Sequence, residues 1–230
     1  MGYVAVLASS NENKLRELQH AFEGWTIEPL GTDGYPPETG ETYYANARAK
    51  AVFARTRVRD RWALGEDSGV EIDGLGGGPG ILSSRWAAGR EAEKALEELG
   101  GSDDRRAWYV AELVAIAPDG IEHRGTGTLG GRIAEELRGT EGFGFDPVFI
   151  PDGEERTVAE LGDEWKREHS HRARAARARA RAPPAPPLSA SRDSRRDRGR
   201  RREHRVESRL FPRVSRPLRR RFCDPVVGQL

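Results

Sequence analysis

Residues 3–8, Tyr-Val-Ala-Val-Leu-Ala, are a short apolar run that stops at Ser9-Ser10-Asn11-Glu12-Asn13-Lys14, where an amphipathic stretch from Leu15 to Phe22 begins. A buried strand that opens through small polar residues into a helix is a ready anion site. The first helical turn has unpaired backbone N–H groups, and the helix dipole favours negative charge there. Lys14 adds a full positive charge on a flexible stem. The same residues also read as an ordinary helix start capped by Ser10 or Asn11.

Strands and helices continue to alternate. Leu15, Leu18 and Phe22 share one face of a helix over 14–22, and residues 25–30 read as an edge strand. A Gly/Pro-rich connection spans 31–40, and a helix is expected over 42–56. Residues 62–65 form a short strand leading into Glu66-Asp67-Ser68-Gly69, read as a strand end before a turn. A glycine-rich loop runs from Gly74 to Gly80, and residues 91–99 are helical. Two long β segments, 107–117 and 121–132, flank Pro118-Asp119-Gly120, which is a hairpin signal. A loop and strand follow over 143–150, then a helix over 160–174. The pattern argues for an α/β domain with a mixed sheet.

Charge divides the chain. Residues 173–230 hold 18 arginines, no lysine and 5 acidic residues, a net of +13, which leaves −12 for residues 1–172. Beyond Ala176 there is no apolar periodicity, and prolines cluster among the arginines. Such a segment cannot bury enough apolar surface to offset its ordering entropy. Residues 1–176 are therefore expected to form the domain and 177–230 a disordered tail. Arg, Ala, Pro and Gly together are what a GC-rich gene yields when read out of frame, and the tail reads as a frameshift product. A rival reading makes it a nucleic-acid-binding arm that neutralises phosphates without reading sequence. No apolar run approaches the ~18 residues needed to span a bilayer. The N-terminus lacks a basic, then apolar, secretory pattern, and the lone Cys223 cannot form an internal disulfide, so a cytoplasmic setting is expected.

Three further clusters carry chemical meaning. The adjacent carboxylates Glu66 and Asp67 can hold a hard cation and accept a proton from water, or simply cap a turn. In Gly142-Phe143-Gly144-Phe145-Asp146-Pro147, aromatic faces suit stacking on a base, with an acid beside them to read its edge; the alternative places both rings in the core. Lys166, His171 and Arg172 suit phosphate or a purine carbonyl, or form a solvated basic helix end. Gly76-Gly77-Gly78-Pro79-Gly80 lacks the spacing and the Lys-Ser/Thr of a phosphate loop and reads as a turn.

Four of these stretches in this order, SSNENK, EDSGVEIDGLGGGPGILSSRWA, GFGFDPVFIP and KREHSHRARA, resemble the inosine triphosphatase family. The resemblance covers residues 3–176. It implies an elongated mixed β-sheet with flanking helices forming two lobes around a cleft, usually in a homodimer. It also implies Mg²⁺-dependent hydrolysis of the purine nucleoside triphosphates ITP, dITP and XTP to the monophosphate and pyrophosphate. Carried over, Ser9, Ser10, Asn11, Glu12, Asn13 and Lys14 would cradle the triphosphate. Asp67 would be proton acceptor and metal ligand, with Glu38 a second metal ligand. Ser68 would touch substrate, and Phe143, Gly144, Phe145 and Asp146 would line the base end. Lys166, His171 and Arg172 would complete the site, and Lys50 matches a family lysine. Departures are Ala45 where the family commonly has an acid, with Glu38 and Glu41 nearby, and Phe145 where it has Tyr. A different base preference within the same chemistry is the alternative enzyme reading.

Overall fold

A computed structural model describes residues 2–32 and 34–180. The Arg/Pro-rich stretch from 181 onward, including most of the expected tail, lies outside the described residues. Among the described residues seven strands form one mixed sheet: β1 (Tyr3–Leu7), β2 (Trp25–Pro29), β3 (Trp62–Ile72), β4 (Gly78–Pro79), β5 (Arg106–Ile116), β6 (Glu122–Ile133) and β7 (Phe149–Pro151). The order is β2–β1–β3–β5–β6–β7, with β4 against the end of β3. β1 runs parallel to β2 and β3, while β3, β5, β6 and β7 pair antiparallel. Six α-helices accompany them: α1 (Glu12–Ala21), α2 (Tyr43–Arg55), α3 (Ser83–Trp86), α4 (Glu91–Leu99), α5 (Val158–His169) and α6 (His171–Ala180). None is long and apolar enough to cross a membrane.

Side chains alternate across a sheet, and the register assigns each face. Leu64, Glu66, Ser68 and Val70 share a face with Leu113, Ala111 and Tyr109 of β5. Leu18 of α1, Phe22 at its C-terminal cap, and Ala175 and Ala176 of α6 pack there beside Leu113 and Ala111. Ala63, Gly65 and Asp67 lie on the other face, where Ala47, Ala51 and Ala54 of α2 pack on Ala63, Val114 and Ile116. Two of these helices press close because the strands beneath them have no side chain to hold them off. A Cβ at Gly65 would stand 2.1 Å from the Ala47 carbonyl oxygen, and one at Gly127 2.0 Å from that of His171.

Three expectations need correction. Glu66-Asp67-Ser68-Gly69 is not the end of a short strand before a turn but the middle of the eleven-residue β3. Its glycines serve close helix approach, and cross-strand pairing with β5 continues unbroken from Ala63 to Ile72. The expected single helix over 160–174 is two, broken at Ser170 in extended backbone, with a further kink at Gly162 (φ 82°). The helical backbone also continues past Ala176 to Ala180, where disorder was expected. Its Ala/Arg alternation suffices because the floor beneath is glycine: Gly125 and Gly127 meet the backbone of Ala175 directly. The 118–120 hairpin turn lies where expected, with Ile116 facing Glu122 and Gly120 at φ 90°.

Candidate active site

The topology leaves a notch. β1 pairs with β3 only through Leu64, and β4 meets β3 only at Glu71 and Ile72. Between them the edge of β3 away from β5 has no strand beside it among the described residues. Side chains serve part of that backbone instead: Lys50 Nζ donates to the Glu66 carbonyl (3.1 Å), and the Val70 N–H donates to Ser83 Oγ (2.9 Å). The loop after β1 and the start of α1 open onto the same notch. Asn11 caps α1 by accepting the Lys14 N–H at 3.1 Å.

A chain of alternating charges lines one face. Glu66, 1% exposed, receives Lys14 Nζ at 2.8 Å and Arg172 Nε at 3.0 Å. Arg172 also donates to Ser68 Oγ (2.7 Å) and to Glu17 (3.0 Å). Glu17 holds Lys166 at 2.5 Å, and Lys166 Nζ lies 2.7 Å from Asp146. Asp146 accepts from Tyr109 Oη (2.8 Å) and from the Phe143 N–H (2.9 Å). Burial pushes the Glu66 carboxyl up, but Lys14 and Arg172 outweigh it and hold it well below the usual carboxylate range. Asp146 goes the other way, because burial outweighs Lys166. His171 lies flat on Tyr109 (centroids 4.5 Å, 9° between planes), and burial, then Arg172, lowers its pKa well below 6.5.

On the opposite face of β3, Asp67 is also buried. Asn46 Nδ2 donates to its Oδ2 at 3.0 Å, and Lys50 Nζ donates to its Oδ1 at 3.2 Å. Lys50 also pairs with Glu38. Burial raises the Asp67 pKa; Lys50 and Lys14 oppose it. Among the described residues no group of three or more His, Cys, Asp or Glu side chains is placed to share an ion. Glu38 and Asp67 nonetheless converge on one ammonium, so the pair already accommodates a cation between them. Two carboxylates fit Mg²⁺, which takes one or two from protein and completes its shell with water and phosphate. Ala45 is exposed in the first turn of α2 and adds no charge there.

A cleft of about 310 Å³ opens beside the notch, lined by Asn11, Lys14, Ser68, Phe143, Gly144, Phe145, Asp146, His171 and Arg172 among the expected residues. Ser9, Ser10, Glu12 and Asn13 do not line it: Ser9 Oγ accepts the Asn11 N–H and Asn13 accepts from Arg16. Lys166 sits behind Asp146, not in the wall. Phe145 is 4% exposed in the core and stacks on Trp86 at 6.1 Å, so it is chiefly a core ring that shows an edge to the cleft. Phe143 is less buried, with Lys166 and Arg172 over its ring at 4.7 and 5.4 Å. The sequence reading missed Glu17, Asn46, Tyr109, Ser83 and Glu91. Only Glu17 left a signal, one turn beyond Lys14 on the same helix face. The site can bind a polyanion against Lys14 and Arg172, stack a flat ring on Phe143, and hold a buried carboxylate poised to take a proton.

Comparison with known proteins gives a consistent family. The model of the Ham1 family matches residues 5–181. The dITP/XTP pyrophosphatase of Deinococcus radiodurans is 42% identical over 173 residues, covering 73% of this chain and 86% of that protein. That of Deinococcus deserti is 40% identical over 177 residues, covering 74% and 85%. Among solved structures, the Staphylococcus aureus Ham1 protein matches with a TM-score of 0.65 at 33% identity, covering 75% of this chain and 93% of that one. A HAM1 protein from Coxiella burnetii matches with a TM-score of 0.64 at 34% identity, covering 76% and 95%.

Proposed function

The chain belongs to the Ham1 family, and from that premise we propose that it hydrolyses the deaminated purine nucleoside triphosphates ITP, dITP and XTP to monophosphate and pyrophosphate. It is a nucleoside triphosphate pyrophosphatase, as its relatives are named. The observation that carries the reading is the open edge of β3, where Lys14, Ser68 and Arg172 gather on one face and Asp67 on the other.

The polyphosphate competes with Glu66 for Lys14, and the N–H groups at the start of α1 donate to a phosphate oxygen. Asn46 and Lys50 fix the Asp67 carboxylate. Burial makes it a stronger base than an exposed aspartate, so it accepts a proton from the water that attacks the α-phosphorus as pyrophosphate leaves. Glu38 and Asp67 would hold Mg²⁺, which supplies charge neutralisation and polarises phosphate oxygens when bound. The base stacks on Phe143. Donors from the His171–Arg172 wall favour a 6-oxo group, because a 6-amino group leaves them unpaired.

The test is pyrophosphate release from ITP, XTP, dGTP, ATP, UTP and dTTP with and without Mg²⁺, comparing wild type with Asp67→Asn. Preference for ITP and XTP, dependence on Mg²⁺ and loss of turnover in Asp67→Asn are expected. Equal or better turnover of UTP or dTTP defeats the purine assignment.

A further inference from the structure

We propose that Glu91 is a specificity-determining residue that accepts the N1–H of a 6-oxopurine. The inference rests on the nucleotide reading of the cleft and concerns which base that cleft takes. Glu91 lies in the first turn of α4 and lines the cleft. The other carboxylates at or behind the wall are held by cations: Glu66 by Lys14 and Arg172, Asp146 by Lys166. Glu91 has no cation partner among the described residues. The neighbouring cations turn elsewhere: Arg90 pairs with Glu97 at 2.9 Å, and Lys94 donates to the Trp86 carbonyl (2.7 Å) and pairs with Glu98 (3.5 Å). One carboxylate oxygen accepts the Gly89 N–H at 3.2 Å. That bond ties the side chain to its own loop, where Ala88 and Gly89 both take positive φ.

An uncompensated carboxylate in a polyphosphate cleft repels phosphate, so it belongs against a part of the ligand that donates hydrogen bonds. Its position agrees. Ala92, the next residue along α4, packs in the core cluster that holds Phe145 and Trp86, on the flank of the loop that carries Phe143. Hypoxanthine and xanthine present N1–H on the edge beside the 6-oxo group. Adenine presents a bare N1 lone pair there, which a carboxylate repels. Guanine also carries N1–H, and its 2-amino group adds a second donor to the same edge, so Glu91 separates oxo from amino purines and not inosine from guanosine.

The test compares Glu91→Ala and Glu91→Gln with wild type on ITP, dGTP, ATP, 1-methylinosine triphosphate and 2′,3′-dideoxy-ITP, after urea unfolding shows equal stability. A hydrogen bond to a charged group supports about a tenfold to a hundredfold change. The kcat/KM ratio of ITP to ATP, and of ITP to its 1-methyl analogue, should fall by that factor in Glu91→Ala. Glu91→Gln, which keeps an acceptor, should recover part of it. Equal loss on every nucleotide, or no loss, overturns the assignment. So does a loss on ITP that vanishes with the dideoxy analogue, which would place the carboxylate on the ribose. A wild type inactive on all triphosphates overturns the functional reading instead. Calorimetric binding of IMP, 1-methyl-IMP and AMP then still decides Glu91, and a Glu91→Ala protein that discriminates among them as wild type does refutes it.

Discussion

Gly127→Ala tests whether the glycine floor of β6 sets the position of the site. The added methyl would stand 2.0 Å from the His171 carbonyl oxygen and 2.4 Å from the Ala175 nitrogen, where ordinary contact begins near 3.4 Å. Both obstacles are helix backbone, so α6 has to retreat by more than an ångström. Arg172 follows His171 directly, and its bonds to Glu66 at 3.0 Å and Ser68 at 2.7 Å would stretch beyond hydrogen-bond range. Overpacking of this kind costs about 1–3 kcal/mol of stability, and a misplacement of that size costs about a hundredfold in catalysis. Gly125→Ala is the companion: its methyl meets the Ala175 oxygen at 2.1 Å, farther along the helix from Arg172, so a comparable stability loss with a smaller activity loss is expected. Gly130→Ala meets only the side chains of Asp152, Arg106 and Trp108 and should do little. The assays are urea unfolding and kcat/KM for pyrophosphate release from ITP. A Gly127→Ala enzyme that is destabilised but as active as wild type refutes the reasoning.

Further outcomes follow from the charge chain. Arg172→Met leaves Glu66 and Glu17 buried without their shared cation and should cost about 3–5 kcal/mol in urea unfolding. Asn11→Ala removes the cap bond to the Lys14 N–H and should cost about 1 kcal/mol, with a rise in KM larger than any fall in kcat. His171 is buried and neutral with a folded pKa below 6.5. The unfolded chain therefore takes up a proton near pH 6.5 while the folded one does not. Its contribution is complete above that pH and is lost as pH falls towards the folded value, by up to about 1.4 kcal/mol per pH unit. Chemical unfolding between pH 7.5 and 5.5 should show that slope in wild type and lose it in His171→Gln.

The sequence shows the parts of this site that lie along the chain and hides those that lie across it. Asn11 as a helix cap, Lys14 beside it and the Asp119-Gly120 turn are local signals. Tyr109 is not: it looks like one more aromatic strand residue until the register sets it beside Val70 and brings His171 onto its ring. Gly65, Gly125 and Gly127 sit inside stretches read as strand without a stated purpose, because that purpose, contact with a helix backbone, involves partners far away in sequence. The same blindness made Glu66–Gly69 look like the end of a strand rather than its middle. The helical stretch after Ala176 looked unfoldable because Ala/Arg alternation carries no 3.6-residue apolar stripe. Yet Arg179 lies over Phe22, Trp25 and Trp62 at 4.4–5.1 Å, its stem and guanidinium covering rings that a leucine would otherwise cover.

Glu66 and Asp67 are neighbours on one strand and face opposite ways. The Lys14–Glu66–Arg172 cluster and the Asp67 carboxylate are therefore separated by the thickness of a β-strand, a distance fixed by covalent bonds and by a ladder paired to β5 from Ala63 to Ile72. Movement of the surrounding helices can open or shut the cleft without altering it. On the proposed function the strand acts as a ruler: a polyphosphate crossing its open edge would present one particular phosphorus to Asp67, and the bond that breaks would be selected by the width of the strand.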